Sequence, residues 1–172
     1  MALTKIIGSG IGTVTNQFDD ANMSAGSVVQ VVNVQTGAVA TGTTVIPFDD
    51  TIPQITEGTE FMTLAITPTS ASNKLRIEVV VNGALNATND AMVCLFVGTT
   101  ANALNVSNIF ATADWRQQFT INHYMEAGAT SELTFRVRAG GTSGTFTFNG
   151  NSGARRYGGT FISSITITEI AV

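Results

Sequence analysis

Lys74-Leu75-Arg76-Ile77-Glu78-Val79 is the stretch of sequence that decides the fold, because charged and apolar side chains alternate along its whole length. A period of two places Leu75, Ile77 and Val79 on one face of an extended chain and the charged residues on the other. Ser70-Ala71-Ser72-Asn73, directly before it, is typical of a turn. The segment is therefore predicted to be a strand with one face in a hydrophobic core.

Other short segments of strand character surround this one and are separated by clusters of Gly, Asn, Ser and Pro. They are 28–34, 61–67, 91–97, 119–126, 133–138, 145–148 and 161–170. Segment 28–34 is β-branched on both faces, which predicts a strand that is buried or lies at an interface. Segment 102–112 fits a short helix or a further strand, and periodicity does not separate the two. The fold class is predicted to be all-β, an antiparallel sandwich or barrel of about eight to ten strands.

Composition limits the classes of protein to which the chain can belong. Its 172 residues carry 8 basic and 12 acidic side chains, a formal net charge of -4, and this length suits one domain. Charged residues make up 12%, which disfavours both disorder and a basic nucleic-acid binder. Cys94, the single cysteine, sits in an apolar run, which predicts a buried thiol, excludes a disulfide framework and fits folding in a reducing cytoplasm. The apolar runs are too short to span a bilayer.

Residues 1–25 differ from the rest of the chain, since they are rich in Gly, Thr, Asn and Ser and show no regular periodicity. They are predicted to form an irregular N-terminal arm that orders on a partner, followed by a sandwich domain over residues 26–172. The apolar residues of the arm are the candidate anchors: Ile6, Ile7, Ile11, Val14 and Phe18. Glycines interrupt the first apolar stretch before it reaches the length of a signal peptide. No export by such a peptide is expected.

A series of segments resembles a module that recurs in virion appendage proteins of tailed bacteriophages. The segments include Pro47-Phe48-Asp49-Asp50-Thr51-Ile52-Pro53-Gln54, Ser70-Ala71-Ser72-Asn73-Lys74-Leu75, His123-Tyr124-Met125-Glu126-Ala127-Gly128, Phe148-Asn149-Gly150-Asn151-Ser152-Gly153-Ala154-Arg155 and Ser163-Ser164-Ile165-Thr166-Ile167-Thr168-Glu169-Ile170. The resemblance covers about residues 26 to 172. It implies a β-sandwich of jelly-roll type that forms a homotrimer on the outer surface of a virion assembled in the host cytoplasm.

Two functions are compatible with such a module. The leading hypothesis is a capsid decoration, or cement, protein whose arm binds the major capsid protein, because the chain lacks the repeats and heptads of a fibre shaft. The trimer would be held by Val29, Val31, Ile165 and Ile167. The alternative is a short tail fibre or receptor-binding tip that attaches to tail proteins. In that case the exposed candidates for a host glycan are Trp115, Arg116, Tyr124 and Tyr157. Neither hypothesis requires nucleic acid or a membrane as partner.

Catalysis finds little support, because the chain offers one histidine and one cysteine. His123 shares the apolar face of its strand with Ile121 and Met125, which favours a core or trimer-axis position. Asp49 and Asp50 could gather with Glu57 and Glu60 around Ca²⁺. Solvated loop acids, or partners for the arginines of a neighbouring copy, are the favoured interpretation. Six arginines lie after residue 75, whereas residues 1–60 hold one base and six acids, so that copies could meet acidic end to basic end. We expect a protein that is not an enzyme and has no cofactor.

Overall fold

The computed structural model describes residues 23–172, and no helix in that range is long and apolar enough to cross a membrane. Its strands, numbered β1 to β12 in chain order, are Val28–Thr36, Ala40–Gly42, Thr59–Ile66, Lys74–Leu85, Asn89–Val97, Asn105–Ala111, Arg116–Glu126, Leu133–Gly141, Phe146–Phe148, Gly150–Asn151, Ala154–Arg155 and Ser163–Ile170. A short 3₁₀ helix spans Tyr157–Gly159. The all-β prediction is confirmed, and segment 102–112 resolves into a strand, β6.

The strands form two antiparallel sheets that face each other. The first sheet has the order β1-β12-β4-β7, and the short strands β9 and β2 extend it beside the last residues of β4. The second sheet has the order β3-β8-β5-β6. When the eight long strands are numbered 1 to 8 along the chain, the first sheet has the order 1-8-3-6 and the second 2-7-4-5, which is the strand order of a jelly roll. The predicted sandwich class is therefore confirmed from the topology.

The core lies between the sheets and is built by the alternation that the sequence shows. Leu75, Ile77 and Val79 are all buried at 0 to 1% exposure, whereas Arg76 and Glu78 between them point outward. Aromatic rings fill the end of the sandwich near β9, where Phe61 stacks on Phe148 with ring centroids 5.0 Å apart. Phe146 lies against both Phe61 and Phe119, at 5.8 and 5.9 Å.

A buried polar cluster lies where the pairing partner of β4 changes from β12 to β9. The Ser163 hydroxyl accepts a hydrogen bond from the Asn82 backbone amide at 2.9 Å and donates to Asn149 Oδ1 at 2.7 Å. Asn149 has a positive φ of 54°, a conformation that asparagine tolerates better than most residues. Its Nδ2 donates to the carbonyl oxygens of Thr36 and Ala38. These bonds satisfy the buried polar groups that the strand exchange would otherwise leave unpaired.

One expectation about the first sheet is wrong, and another is narrowed. Strand β1 pairs with β12 alone, and Val28 and Val31 are more than half exposed, so segment 28–34 is not buried on both faces within one chain; its alternative, a strand at an interface, stays a prediction. Ile165 and Ile167 were predicted to lie in a trimer interface, but both have 0% exposure inside the core between the sheets. The strand alternation turns them inward, and they are unavailable to another copy. Val29 is half-buried, and Val31, 55% exposed, points to the outside.

Candidate functional site

The connection from β2 to β3 crosses the outside of the second sheet and covers part of it. Ile46 is the anchor of this crossing: its side chain has 0% exposure and packs with Met92, Cys94 and Phe96 of β5. Its backbone amide donates to Gly141 O at 3.0 Å. Cys94 is thus buried, as predicted, and burial, with a smaller effect of the nearby Glu57 carboxylate, raises the pKa of its thiol to about 12. A thiol of that kind is not a nucleophile near neutral pH.

An open groove lies between this crossing segment and β6. Two adjoining cavities of about 430 and 200 Å³ form it, and they share Asp49, Thr51, Pro53 and Val106 as lining residues. Phe48 and Ile52 border the groove with 66 and 54% of their surface exposed. We call Phe48, Asp49, Asp50, Ile52 and Val106 the acidic groove. Large apolar side chains that border a cavity and remain this exposed are typical of a binding surface.

The two carboxylates of the acidic groove are exposed and carry negative charge. Asp49 Oδ1 accepts hydrogen bonds from the Thr51 hydroxyl at 2.5 Å and the Thr51 amide at 2.8 Å, and these bonds hold the pKa of Asp49 below its ordinary value. Asp50 is exposed beside it. Asp49 therefore stays ionised even in mildly acidic solution.

The second exposed surface lies at the end of the first sheet where β7 begins. The β10–β11 turn contacts the segment before β7: Asn151 Nδ2 donates to the Asp114 carbonyl, and the Ser152 hydroxyl donates to Asp114 Oδ1 at 2.9 Å. Arg156 Nη2 donates to Asn151 Oδ1 at 2.8 Å. Trp115 and Tyr157 are exposed by 68 and 65%. We call this surface the aromatic–arginine end, and its members are Trp115, Arg116, Arg155, Arg156 and Tyr157.

Three of the four predicted receptor residues therefore share one end of the molecule, and the fourth does not. Tyr124 is paired with Arg76 of β4, eight positions along β7 from Arg116, a distance of roughly 27 Å at 3.4 Å per residue. It is exposed on the open outer face of the first sheet, where the Arg76 guanidinium lies 5.9 Å from its ring centroid. Tyr124 cannot join Trp115 and Tyr157 in one small site.

The acids considered for a Ca²⁺ site do not come together. Glu60 forms ion pairs with Arg136 at 3.2 Å and Arg138 at 3.4 Å in the same chain. Glu57 Oε2 accepts the Gln54 amide at 2.9 Å. No group of three or more histidine, cysteine, aspartate or glutamate side chains within residues 23–172 is placed to hold a metal ion.

Glu169 is a buried carboxylate with a structural role that the sequence did not predict. Its side chain has 0% exposure, and its oxygens accept hydrogen bonds from Gln30 Nε2, Asn73 Nδ2 and the Thr69 hydroxyl at 2.5, 2.7 and 2.8 Å. The Thr69 amide donates as well, at 2.9 Å. Burial alone would raise the pKa of Glu169, but the hydrogen bonds outweigh it and hold the pKa below the ordinary value. The carboxylate thereby links β1, the β3–β4 turn and β12.

His123 and the arm residues are the predicted site residues that remain. His123 lies half-buried on the inner face of β7 with Ile121 and Met125, and burial lowers its pKa. The candidate anchors Ile6, Ile7, Ile11, Val14 and Phe18 lie outside the described residues. The sequence predicts no role for Phe48, because its exposure depends on how one loop lies over a distant sheet. Arg155 and Arg156 are two of the six arginines predicted to meet acids of a neighbouring copy, but no local pattern places them beside Trp115.

No protein-family model matches the chain, and no curated protein sequence matches it either. Solved structures resemble it at low identity. The Eiger TNF of S. frugiperda has a TM-score of 0.45, 10% identity, and coverage of 82% of this chain and 93% of that one. A carbohydrate-binding module CBM36 in complex with calcium and xylotriose has a TM-score of 0.37 and 15% identity, covering 80% of this chain and 98% of the module. Infectious bursal disease virus, Gx strain, has a TM-score of 0.40 and 9% identity, covering 83% of this chain and 36% of that chain.

Proposed function

We propose that the chain is a non-enzymatic structural protein of a tailed-phage virion, a homotrimeric decoration protein that binds the major capsid protein and stabilises the shell. The observation that supports the proposal is that residues 23–172 by themselves form a jelly-roll sandwich. Within that described range, eight long strands lie between Val28 and Ile170. Gly26 N donates to Ala171 O at 2.9 Å, and this hydrogen bond joins the beginning of the described chain to the residue that follows β12. Residues 1–25 precede this sandwich in the chain, and we assign to them the role of the arm.

The arm would bind by burying its apolar side chains on the shell. Burial of apolar surface contributes about 25 cal/mol per Å², so a few isoleucine and phenylalanine side chains give one arm a modest affinity. Three arms on one trimer act together, and linked binding raises avidity by about 10² to 10⁴ where all engage at once. Such a protein selects an assembled lattice over a free capsid subunit.

The test compares virion binding of the full chain with that of a chain lacking residues 1–22, which retains every described residue. Loss of particle binding with an unchanged circular dichroism spectrum and unfolding temperature is the expected outcome. A matched variant, with Ile6, Ile7 and Ile11 replaced by Ser, should lose most binding, whereas replacement of Thr4, Thr13 and Thr15 by Ser should not. Retained binding by the truncated chain would exclude the arm as anchor.

The alternative is a short tail fibre or receptor-binding tip that binds a host glycan, and the aromatic–arginine end favours it specifically. Exposed Trp115 and Tyr157 rings beside arginines are the chemistry with which proteins stack on and hydrogen-bond sugars. Quantitative gels of purified virions separate the two functions, because decoration requires trimers in numbers comparable to capsid lattice positions and a tail tip only a handful. Loss of the protein should also make capsids leak DNA only if it decorates them.

A further inference from the structure

Three arginines at one end of the molecule have no acidic partner among the described residues. Four ion pairs in residues 23–172 account for the other bases: Lys74 with Glu126, Arg76 with Glu78, and Arg136 and Arg138 with Glu60. Arg116, Arg155 and Arg156 remain, and all three belong to the aromatic–arginine end. The chain therefore concentrates its uncompensated positive charge beside two exposed aromatic rings.

The acidic groove has the complementary properties. Asp49 and Asp50 have no cationic partner within residues 23–172, and the low pKa of Asp49 keeps it charged. Phe48, Ile52 and Val106 supply exposed apolar surface around cavities of about 430 and 200 Å³. A groove of this size accepts an aromatic side chain, and its two carboxylates match arginines that flank one.

One copy cannot satisfy both surfaces by itself. Trp115 and Arg116 come after the last residue of β6, whereas Asp50 and Ile52 line the groove together with its first residues, Asn105 and Val106. The groove lies outside the second sheet, whereas Arg155 ends β11 and Arg156 follows it; β11 pairs with β10, which packs beside β4 of the first sheet. The two surfaces are therefore built by different elements, and a contact between them joins different copies.

We propose that copies of this chain bind head to tail, with the aromatic–arginine end of one copy seated in the acidic groove of the next. Trp115 or Tyr157 fills the groove against Phe48 and Ile52, and Arg155 and Arg156 pair with Asp49 and Asp50. The inference rests on the proposed self-association and names the two surfaces that produce it. Such a contact joins different patches, so that it generates a ring when the rotation closes.

The open outer face of the first sheet is the competing surface, and its chemistry fits a second copy less well. Its charges are already paired within the chain, Lys74 with Glu126 and Arg76 with Glu78. Asn33 Nδ2 donates to Thr166 Oγ1 at 2.8 Å across two of its strands. Val31 is exposed there without a groove around it. Substitution of Val31 therefore tests the rival contact directly.

The decisive experiment is a charge exchange measured on the purified full chain by light scattering and sedimentation. Asp49→Arg with Asp50→Arg, and separately Arg155→Asp with Arg156→Asp, should each weaken self-association by about tenfold or more, since like charges then face each other. The chain that carries all four changes should regain the wild-type assembly. Recovery in the four-fold variant also shows that the two-fold variants were not merely misfolded.

Three controls separate the head-to-tail contact from an effect of net charge, from pairing through the sheet face and from assembly through the N-terminal segment. Glu126→Lys with Glu132→Lys changes the net charge by the same amount as Asp49→Arg with Asp50→Arg, at exposed positions outside both surfaces, and should leave assembly unaffected. Val31→Lys should also leave it unaffected, and dispersal by that change alone would overturn the proposal in favour of the sheet face.

Deletion of residues 1–22 should preserve the assembly. If that deletion disperses the assembly while the charge reversals do not, the N-terminal segment occupies the groove and the proposal fails.

The failures of the two proposals are distinguishable. A wild-type chain that is monomeric at every concentration would remove the proposed trimer and this contact together. A wild-type oligomer that survives both charge reversals would overturn the head-to-tail contact alone. Virion binding is measured separately and depends on residues 1–22.

Discussion

Glu169 shows how a single carboxylate can organise three elements. It is fully buried, and its donors come from β1, from the β3–β4 turn and from the side chain of Asn73. A buried charge is stable only where hydrogen bonds replace its hydration, and here they do so on both oxygens. Glu169 lies beside the pairing of Gly26 with Ala171, where the described chain enters the sandwich. The residue therefore fixes the end of the sandwich at which the described chain begins.

Glu169→Gln should lower the free energy of unfolding at pH 7 by about 1–3 kcal/mol, because the new amide nitrogen faces a donor on either side. Gln30 cannot simply rotate its amide to compensate, since its Nε2 also donates to Thr67 O at 2.9 Å. Urea unfolding measures the change. The exposed Glu132→Gln is the control and should alter stability by less than about 0.5 kcal/mol.

The pH dependence of the same variant gives an independent check. The pKa of Glu169 is lower in the folded chain than the value of about 4.3 for an unfolded chain. Its contribution to stability is therefore complete above that value and is lost as the pH falls through the folded pKa. The gap between wild type and Glu169→Gln should shrink below about pH 4. A gap that widens in acid would contradict the role of the ionised carboxylate.

The burial of single residues was only partly predictable from the sequence. Alternation in the last strand places Glu169 on the same face as Ile165 and Ile167, so its inward position was readable, although its donors were not. The same alternation contradicts an interface role for the two isoleucines, because each side chain of a sandwich strand faces either the core or the outside, and only the second can contact a partner. Exposure of Phe48 depends on how one loop lies over a distant sheet, which no local pattern encodes.

At the scale of elements, the crossing segment between β2 and β3 acts as a cover on the second sheet. Its attachment depends on Ile46, which fills a small apolar cluster with Met92, Cys94 and Phe96. The sequence predicted β1 and β3 but neither β2 nor this cover, because a segment without periodicity gives no information about the surface on which it packs. The acidic groove exists only because this segment lies beside β6.

Ile46→Ala should loosen the cover and expose Cys94 to a thiol reagent. Opening returns the thiol from a pKa of about 12 toward the ordinary value of a free cysteine, and the labelling rate should rise by about tenfold or more. Labelling without denaturant, followed optically, measures it. Val45→Ala changes a neighbour that is exposed by nearly half and should leave the rate unaltered. Equal rates in Ile46→Ala and wild type would show that Ile46 does not hold the segment.

At the scale of the whole molecule, the charged side chains that form ion pairs within the described chain are separated in space from those that do not. The two sheet faces carry acids and bases that pair within one chain. Of the uncompensated groups, Arg116 begins β7 of the first sheet, and Arg155 and Arg156 lie at the end of the β10–β11 pair. The groove aspartates lie in the segment that crosses the second sheet, beside the first residues of β6. The sequence already indicated an acidic early part and an arginine-rich later part. Only the fold shows that this asymmetry along the sequence produces two separate surfaces of opposite charge.

A head-to-tail contact must either close into a ring or continue into a filament, and this choice gives the last prediction. A closed trimer has a mass of about 54 kDa from chains of 18.0 kDa, and its mass stays constant once the concentration exceeds the dissociation constant. An open contact would instead give a mass that grows steadily with concentration. We expect the plateau, because the proposed decoration protein is a trimer, and a ring of three uses both surfaces of every copy and leaves none to bind a further copy. Light scattering across a wide concentration range decides it, and a plateau at two chains would require a self-complementary surface in place of the head-to-tail one.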